Sequence, residues 1–405
     1  MKVMNPGLVR WARRFDWVWR LLGLLAGMRR ERVAERASLD PARILVLDLH
    51  LIGDMVMLLP FLGALRRRYP GAQITLVAGP WCHAVLAASG AADRVVEFAA
   101  PWVKGQGAWQ SLLRTQSLIR TLRAERWDLG IDMRGDIRNI LTLYFARCVQ
   151  RVGFDFTGGG SLLTKVVPDN GVLSPILEHH ERLAASLDAF DGRPFVPRLT
   201  LSAVESRAAD EIAPYVGFHF GASLPLRRLP VPEAANLLST CAGAHDGRLI
   251  VFSAPDVEAY VAEVLSQLGP EQRSRFEVWR GDLRGFIVTA SRARLLYTMD
   301  SGPAHLAAAI GCKTVVMFGP NRSAFVAPRG SNVRCVELDP ALPCQPCDQR
   351  RCLHPTVFQA CLRGMVPLAR AAAESLSDAA ENAEVAPDPP SQISPSKLPA
   401  VSQRP

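Results

Sequence analysis

The sequence predicts an α/β protein of two parallel-sheet domains facing a cleft. Three observations carry that expectation. Strand-like and helix-like segments alternate from Arg43 to about Phe195, and alternate again beyond it. The length of 405 residues exceeds what a single core usually accommodates, so two domains of ordinary size are expected. Each half also places small and acidic residues directly after an apolar strand: Gly53-Asp54 in the first, Asp300-Ser301-Gly302 in the second. Open α/β sheets bind ligands at such strand ends.

The elements follow from the pattern of apolar runs. In the first half, Ile44–Leu49 reads as a strand, Met55–Tyr69 as a helix, Gln73–Ala78 as a strand and Trp81–Ala88 as a short helix. Arg94–Phe98 is strand-like, Gln110–Glu125 helical, and Leu129–Met133 a strand. Asp191-Gly-Arg-Pro-Phe-Val-Pro-Arg198 is rich in turn formers and reads as the linker. Beyond it, Val216–Phe220, Leu249–Phe252, Arg275–Val278, Leu295–Met299 and Thr314–Phe318 form a second strand series with helices between. The expected boundaries are a basic N-terminal segment over 1–40, domains over 41–195 and 196–372, and a tail over 373–405. That tail is rich in Ala, Ser and Pro with few large apolar residues, a composition that predicts disorder.

The stretch from Thr298 to Gly311 is the most informative. The apolar run Arg294–Met299 leads into Asp300-Ser301; Gly302 frees the turn, and Pro303 suits a first helical position. A helix N-terminus at this point offers free N–H groups and partial positive charge, a site for a diphosphate. An ordinary turn between strand and helix fits the same residues.

The net charge of +9 is unevenly spread. Residues 1–36 hold nine Lys/Arg against three acids, which is +6 of that total. Leu8, Trp11, Phe15, Val18, Leu22 and Leu25 recur at steps of three or four, with Arg10, Arg13, Arg14 and Arg20 on the other side. This suits a helix lying in an anionic membrane interface, or one packed on the protein's own body. Arg20 and Met28-Arg-Arg30 argue against a secretory signal. Basic charge confined to a terminal helix also argues against a nucleic-acid partner.

No uninterrupted apolar run reaches 18 residues, so no membrane-spanning helix is expected. Nine cysteines in so long a chain do not describe a secreted disulfide scaffold, and the expected compartment is reducing cytoplasm. Cys344-Gln-Pro-Cys347, Cys352 and Cys361 have spacings that four thiol ligands of a metal share, but reduced thiols are the favoured reading. His179-His180-Glu181 are adjacent and point to different helix faces, so no metal site is assigned to them. Asp132-Met-Arg-Gly-Asp136 lacks the spacing of a metal–nucleotide motif.

Asp300-Ser-Gly-Pro-Ala-His305 with Phe318-Gly-Pro320 resembles the signature of glycosyltransferase family 9, the ADP-heptose–lipopolysaccharide heptosyltransferases. Four further segments match in order. These are Ile44–Asp54 with Leu59-Pro60 and Leu65–Pro70, Trp127–Gly135, Arg151–Asp155, and His219–Ser223 with Arg227–Pro230. Together the resemblance spans about residues 43 to 367. It implies the GT-B architecture, two Rossmann-like domains, and inverting, metal-independent transfer of a heptose from ADP-heptose to a lipopolysaccharide core acceptor. No cofactor is implied. The partners would be a nucleotide sugar, a lipid-linked or oligosaccharide acceptor and the inner face of the cytoplasmic membrane.

The residue roles follow. Asp54, beside acceptor-side Gly53, can accept the acceptor hydroxyl proton; the resemblance implies the same role, and Asp54 can also cap the following helix. Arg227-Arg228-Leu229-Pro230 stands where the family usually has Lys-Arg-Trp-Pro, so Arg227 takes the donor-phosphate position with a larger, forked cation. Ser223, Asp300, Ser301, Gly302, Pro303 and His305 complete the expected donor site. Asp256, or else Glu258, is the candidate for the ribose hydroxyls, with helix capping equally open to it. His219 reads as structural. Three other readings remain: a transferase using another nucleotide sugar for O-antigen, capsule or protein glycosylation; a non-catalytic nucleotide- or lipid-binding relative; and a nicotinamide dehydrogenase, disfavoured because no Gly-x-Gly-x-x-Gly follows the first strand.

Overall fold

A computed structural model describes residues 40–101, 108–168, 174–347 and 351–384, with Trp17. The basic amphipathic segment otherwise lies outside the described residues. The first sheet begins with β1 (Arg43–Leu47), then α1 (Ile52–Arg68), β2 (Gln73–Ala78), α2 (Cys82–Leu86), β3 (Arg94–Glu97) and α3 (Ala108–Arg123). It continues through β4 (Leu129–Asp132), α4 (Ile137–Phe145), β5 (Gln150–Gly153), β6 (Lys165–Val166) and α5 (Ile176–Ser186). β1 and β4 read as apolar runs because both faces of the sheet are covered by helices; Ile44, Leu45, Val46 and Leu47 are all buried.

The second series runs α6 (Ala203–Asp210), β7 (Tyr215–His219), α7 (Val231–Ala244), β8 (Arg248–Phe252), α8 (Glu258–Ser266), α9 (Pro270–Ser274) and β9 (Phe276–Trp279). It ends with α10 (Leu283–Ala290), β10 (Ala293–Met299), α11 (Gly302–Ala309), β11 (Thr314–Met317), α12 (Ser323–Val326), β12 (Val333–Val336) and α13 (Met365–Glu384). The strand orders are β3-β2-β1-β4-β5-β6 and β12-β11-β10-β7-β8-β9, with every recorded strand pair parallel. Each sheet therefore turns back on itself beside its first strand, between β1 and β4 in one and between β7 and β10 in the other. Those two reversals open the crevices where such sheets take ligands.

Helices α1 and α11, one from each series, pack against each other. Apolar residues of both series, including Ile44, Val46, Leu306 and Phe252, belong to one continuous core. Leu199 N–H donates to the Ala309 carbonyl at 2.8 Å, and the Arg329 guanidinium pairs with Glu181. These contacts fix how the two crevices meet.

Two sequence expectations are corrected. Helix α1 starts at Ile52, three residues before the expected Met55, so Gly53 and Asp54 sit inside its first turn and not in the loop before it. The tail expected to be disordered from 373 is helical to Glu384, because Ala373 and Leu376 are buried in the second core and the Ala-rich segment is a strong helix former. Among the described residues no helix is long and apolar enough to cross a membrane.

Candidate active site

The first crevice is built by the segments leaving β1 and β4. Asp54 is the third residue of α1, and its Oδ2 accepts the Leu51 N–H at 3.1 Å, satisfying a free donor at the helix start. Its Oδ1 accepts from Arg134 Nη1 at 2.9 Å. The helix-start contact and the ion pair thus fall on opposite oxygens of one carboxylate. Arg134 comes from the segment after β4, where Asp132 fastens the backbone by accepting the N–H groups of Arg134 (3.1 Å) and Asp136 (3.0 Å) and the Asn139 amide (2.8 Å). Both side chains of the pair are largely buried, at 6% and 13% exposure for Arg134 and Asp54, so the ion pair is little screened. Burial alone would raise the Asp54 pKa; Arg134, then His50, the Leu51 N–H and His305, pull it below the usual carboxylate range. Asp54 is therefore an anion.

The second crevice gathers the donor candidates. Asp300, at the end of β10, lies 3.6 Å from Arg227 Nη1 and accepts the Asn321 amide at 3.2 Å. Arg227 and Arg228, indistinguishable in sequence, separate in space. Arg228 donates to the Ala222 carbonyl at 3.1 Å and lies 6.0 Å over the Tyr260 ring, bracing the loop, while Arg227 faces Asp300. Leu229, in the family's tryptophan position, is fully buried in the second core. Ser301 turns its hydroxyl back to the Met299 carbonyl at 3.2 Å and does not cap α11, so its side chain makes no hydrogen bond to the start of that helix, where Gly302 and Pro303 stand. These are the elements of an anion site: an N-terminus without a side-chain cap and a facing guanidinium.

Two glycines bring the crevices together. A Cβ on Gly53 would sit 2.8 Å from Cδ2 of His305, and a Cβ on Gly302 would sit 3.0 Å from Cβ of Ile52. The starts of α1 and α11 can therefore approach only because both residues lack side chains. His305, buried in α11, feels the charges of both Asp300 and Asp54; burial outweighs them and lowers its pKa, so the ring is neutral.

The other sequence candidates fall elsewhere. Ser223 and Asp256 are exposed, and Glu258 pairs with Arg280 at 2.9 Å on the surface. His219 is buried against Phe286 and held neutral, its pKa lowered to about 4 by burial, but its Nδ1 has no hydrogen-bond partner. His180 Nδ1 bonds to the Met57 carbonyl at 3.1 Å, while Glu181 turns to Arg329. Cys344, Cys347, Cys352 and Cys361 line one small void beside Leu226. Among the described residues no three His, Cys, Asp or Glu side chains are placed to hold a metal ion.

Three participants carried no role in the sequence reading. Arg134 lay inside a quoted segment, but nothing in one sequence ties it to a carboxylate 80 positions away. Gln359 reaches from the cysteine-rich segment to the loop that carries Arg227 and Arg228, donating to the carbonyls of Leu226 (3.2 Å) and Arg228 (3.0 Å). Asp48 is fully buried with neither oxygen hydrogen-bonded.

Two six-stranded parallel sheets whose ligand crevices meet define the GT-B class of glycosyltransferase. The model of glycosyltransferase family 9 (heptosyltransferase) matches residues 115–357, and the chain belongs to that family. It is 26% identical over 312 residues to lipopolysaccharide heptosyltransferase 2 of Salmonella typhimurium, covering 73% of this chain and 88% of that protein. The fold matches the Escherichia coli ADP-heptose lipopolysaccharide heptosyltransferase II with a TM-score of 0.66 at 21% identity, over 84% of this chain and 99% of that one. It also matches E. coli heptosyltransferase WaaC with ADP, with a TM-score of 0.59 at 18% identity, over 72% and 92% respectively.

Proposed function

We propose that this glycosyltransferase moves a heptose from ADP-heptose to a lipopolysaccharide core acceptor with inversion at the anomeric carbon and without a metal ion. The observation that supports the reading is the close approach of Gly53 to His305, which brings the start of α1, with Asp54, against α11. The relatives named for lipopolysaccharide heptosyl transfer support the sugar and the acceptor.

In this mechanism the acceptor hydroxyl gives its proton to Asp54 while its oxygen attacks the anomeric carbon from the side away from the diphosphate. The bond from that carbon to the diphosphate oxygen breaks, and the leaving group carries its electron pair toward Arg227 and the α11 N-terminus. A single displacement from the opposite side inverts the centre. Positive charge from a guanidinium and a helix end does what a cation does elsewhere. Domains over 41–195 and 196–372 would supply acceptor and donor sides, and the basic segment over 1–40 would hold the enzyme on the inner face of the cytoplasmic membrane.

Incubation of the purified protein with ADP-heptose and a heptose-deficient core acceptor, with and without EDTA, tests this. Transfer unaffected by EDTA is expected. Transfer from another nucleotide sugar alone would replace the donor assignment.

A further inference from the structure

Among the buried groups that the mechanism leaves unused, Asp48 has the most irregular surroundings in the first crevice. Asp48 follows β1, is 1% exposed, and neither of its oxygens has a hydrogen-bond partner. A buried carboxyl left unsatisfied is costly, and native structures rarely keep one without use. Its neighbours are also incomplete: the Nε of Arg134 and the Nδ1 of His50 are buried without partners, the latter 3.8 Å from Asp48 Oδ1. Arg134 feels the charges of Asp54 first and Asp48 second, yet its ion pair is with Asp54.

Asp54, meanwhile, has both oxygens engaged, by Arg134 and by the Leu51 N–H. A carboxylate paired with a buried guanidinium is a weak base, because Arg134 favours its ionised form. For Asp54 to become a stronger base Arg134 has to let go, and a buried guanidinium needs another anion to turn to.

Building on the base role of Asp54 given above, we propose that Asp48 is a positioning residue that provides the second seat of the Arg134 guanidinium. When the acceptor enters, Arg134 turns from Asp54 to Asp48, which frees Oδ1 of Asp54 to receive the hydroxyl proton. The orphaned Nε of Arg134 and both orphaned oxygens of Asp48 become satisfied in that arrangement, so the two seats are alternatives of one hydrogen-bond set. Burial pushes the Asp48 carboxyl up to about 7 against the pull of Arg134, with Asp54 raising it further and the nearby His50 N–H lowering it short of a hydrogen bond. With Arg134 on Asp54 the Asp48 carboxyl is shifted toward its protonated form, and the arrival of the guanidinium shifts it toward the anion. The groups facing this set are Asp54, Arg134 and His50, with Asp132 behind Arg134, Asp136 and Arg138 beside His50, His180 of α5 near Arg134 and Asp54, and His305 across the cleft on Asp54. Of these, His50 is held neutral, its pKa lowered to about 4, so it does not compete for the charge.

The test is a double-mutant cycle on full-length protein: Asp48→Asn, Arg134→Gln and both together, with steady-state kinetics over pH 5 to 9 in about half-unit steps. Asp48→Asn is expected to lower kcat about tenfold with acceptor KM within about twofold, because Arg134 then stays on Asp54. The acidic limb of its kcat profile should move to lower pH, since the clamp keeps Asp54 ionised. In the Arg134→Gln background the same Asp48→Asn change should cost nothing further. Equal losses in both backgrounds, or an unmoved acidic limb, would overturn the two-seat arrangement. Should Asp48→Asn fail to fold, Arg134→Gln still decides: its acidic limb must rise in pH, and a fall or no change refutes the clamp. Asp54→Asn run alongside separates the readings, because wild-type turnover in that variant removes the base itself, whereas its inactivity beside an unaffected Asp48→Asn removes only the seat.

Discussion

The imidazole of His305 rests on the backbone of Gly53 so closely that a single added carbon would lie 2.8 Å from its Cδ2. This contact joins helix α1, proposed to face the acceptor, to helix α11, proposed to face the donor, at the point where chemistry is proposed. Gly53→Ala should therefore push the two helix starts apart by a few tenths of an ångström and lower turnover about tenfold, since small misplacements at reacting centres are expensive. In a His305→Ala background the added methyl finds room and the penalty should vanish. Steady-state kinetics of the four proteins measures this, and an undiminished penalty without the ring would mean that the close approach is incidental.

Replacing Asp54 by Asn should cost roughly 10²–10⁴ in turnover, the usual scale for losing a general base. The amide retains shape and can still accept the Leu51 N–H, so nucleotide affinity should hardly move, while the melting temperature should fall because the buried Arg134 guanidinium loses its carboxylate. Kinetics paired with calorimetry of ADP binding checks both halves; turnover within about threefold of wild type would take Asp54 out of the base role.

Arg227→Ala should weaken ADP binding by about 10–100-fold, the scale of a lost charge-assisted hydrogen bond, and leave adenosine binding unchanged. His305→Ala should be milder, because the N–H groups of α11 bind phosphate with or without the ring. Equal losses for ADP and adenosine in the Arg227 variant would indicate general loosening of the loop.

The donor loop depends on a residue far along the chain. Gln359→Ala removes the donor to the Leu226 and Arg228 carbonyls and should destabilise the fold by about 1–3 kcal/mol. Donor KM should rise more than kcat falls. A raised acceptor KM with unchanged donor KM would place the loop's role elsewhere.

Asp48 makes stability depend on pH in a definite direction. Its folded pKa of about 7 lies above the unfolded value of ~3.9, so between those limits the folded state binds a proton that the unfolded state lacks. Its contribution is full below the unfolded value and is lost as pH rises through about 7. Asp48→Asn, which cannot ionise, should gain stability relative to wild type as pH rises from 5 to 8. Denaturant titrations of both proteins at those two pH values measure the difference, and a gap that stays constant would mean that Asp48 is already ionised at pH 5.

Much of this was legible in the sequence because the signals are local. The strand series, the Gly53-Asp54 and Asp300–His305 turns, and the α/β class follow from apolar runs and small residues spaced along a few dozen positions. The start of α1 was misplaced because Ile52-Gly53 carries no strong cap, Leu51 having no side-chain acceptor. The helix beyond residue 373 was missed because composition signals disorder, while the burial of Ala373 and Leu376 depends on a core built elsewhere. The pairing of Asp54 with Arg134, and the reach of Gln359 to Leu226, were not legible. Both join residues on separate elements, and a single chain gives no trace of which distant charge or amide its fold will bring near.

The central claim is a displacement by an acceptor hydroxyl, deprotonated by Asp54, on a nucleotide-activated heptose. Proton NMR of the disaccharide linkage formed from ADP-heptose and a core acceptor tests it most directly. A single product is expected, with an anomeric configuration opposite to that of the donor, formed by wild type and nearly absent with Asp54→Asn. A product that retains the donor's configuration, or one formed equally well by the Asn variant, would contradict it.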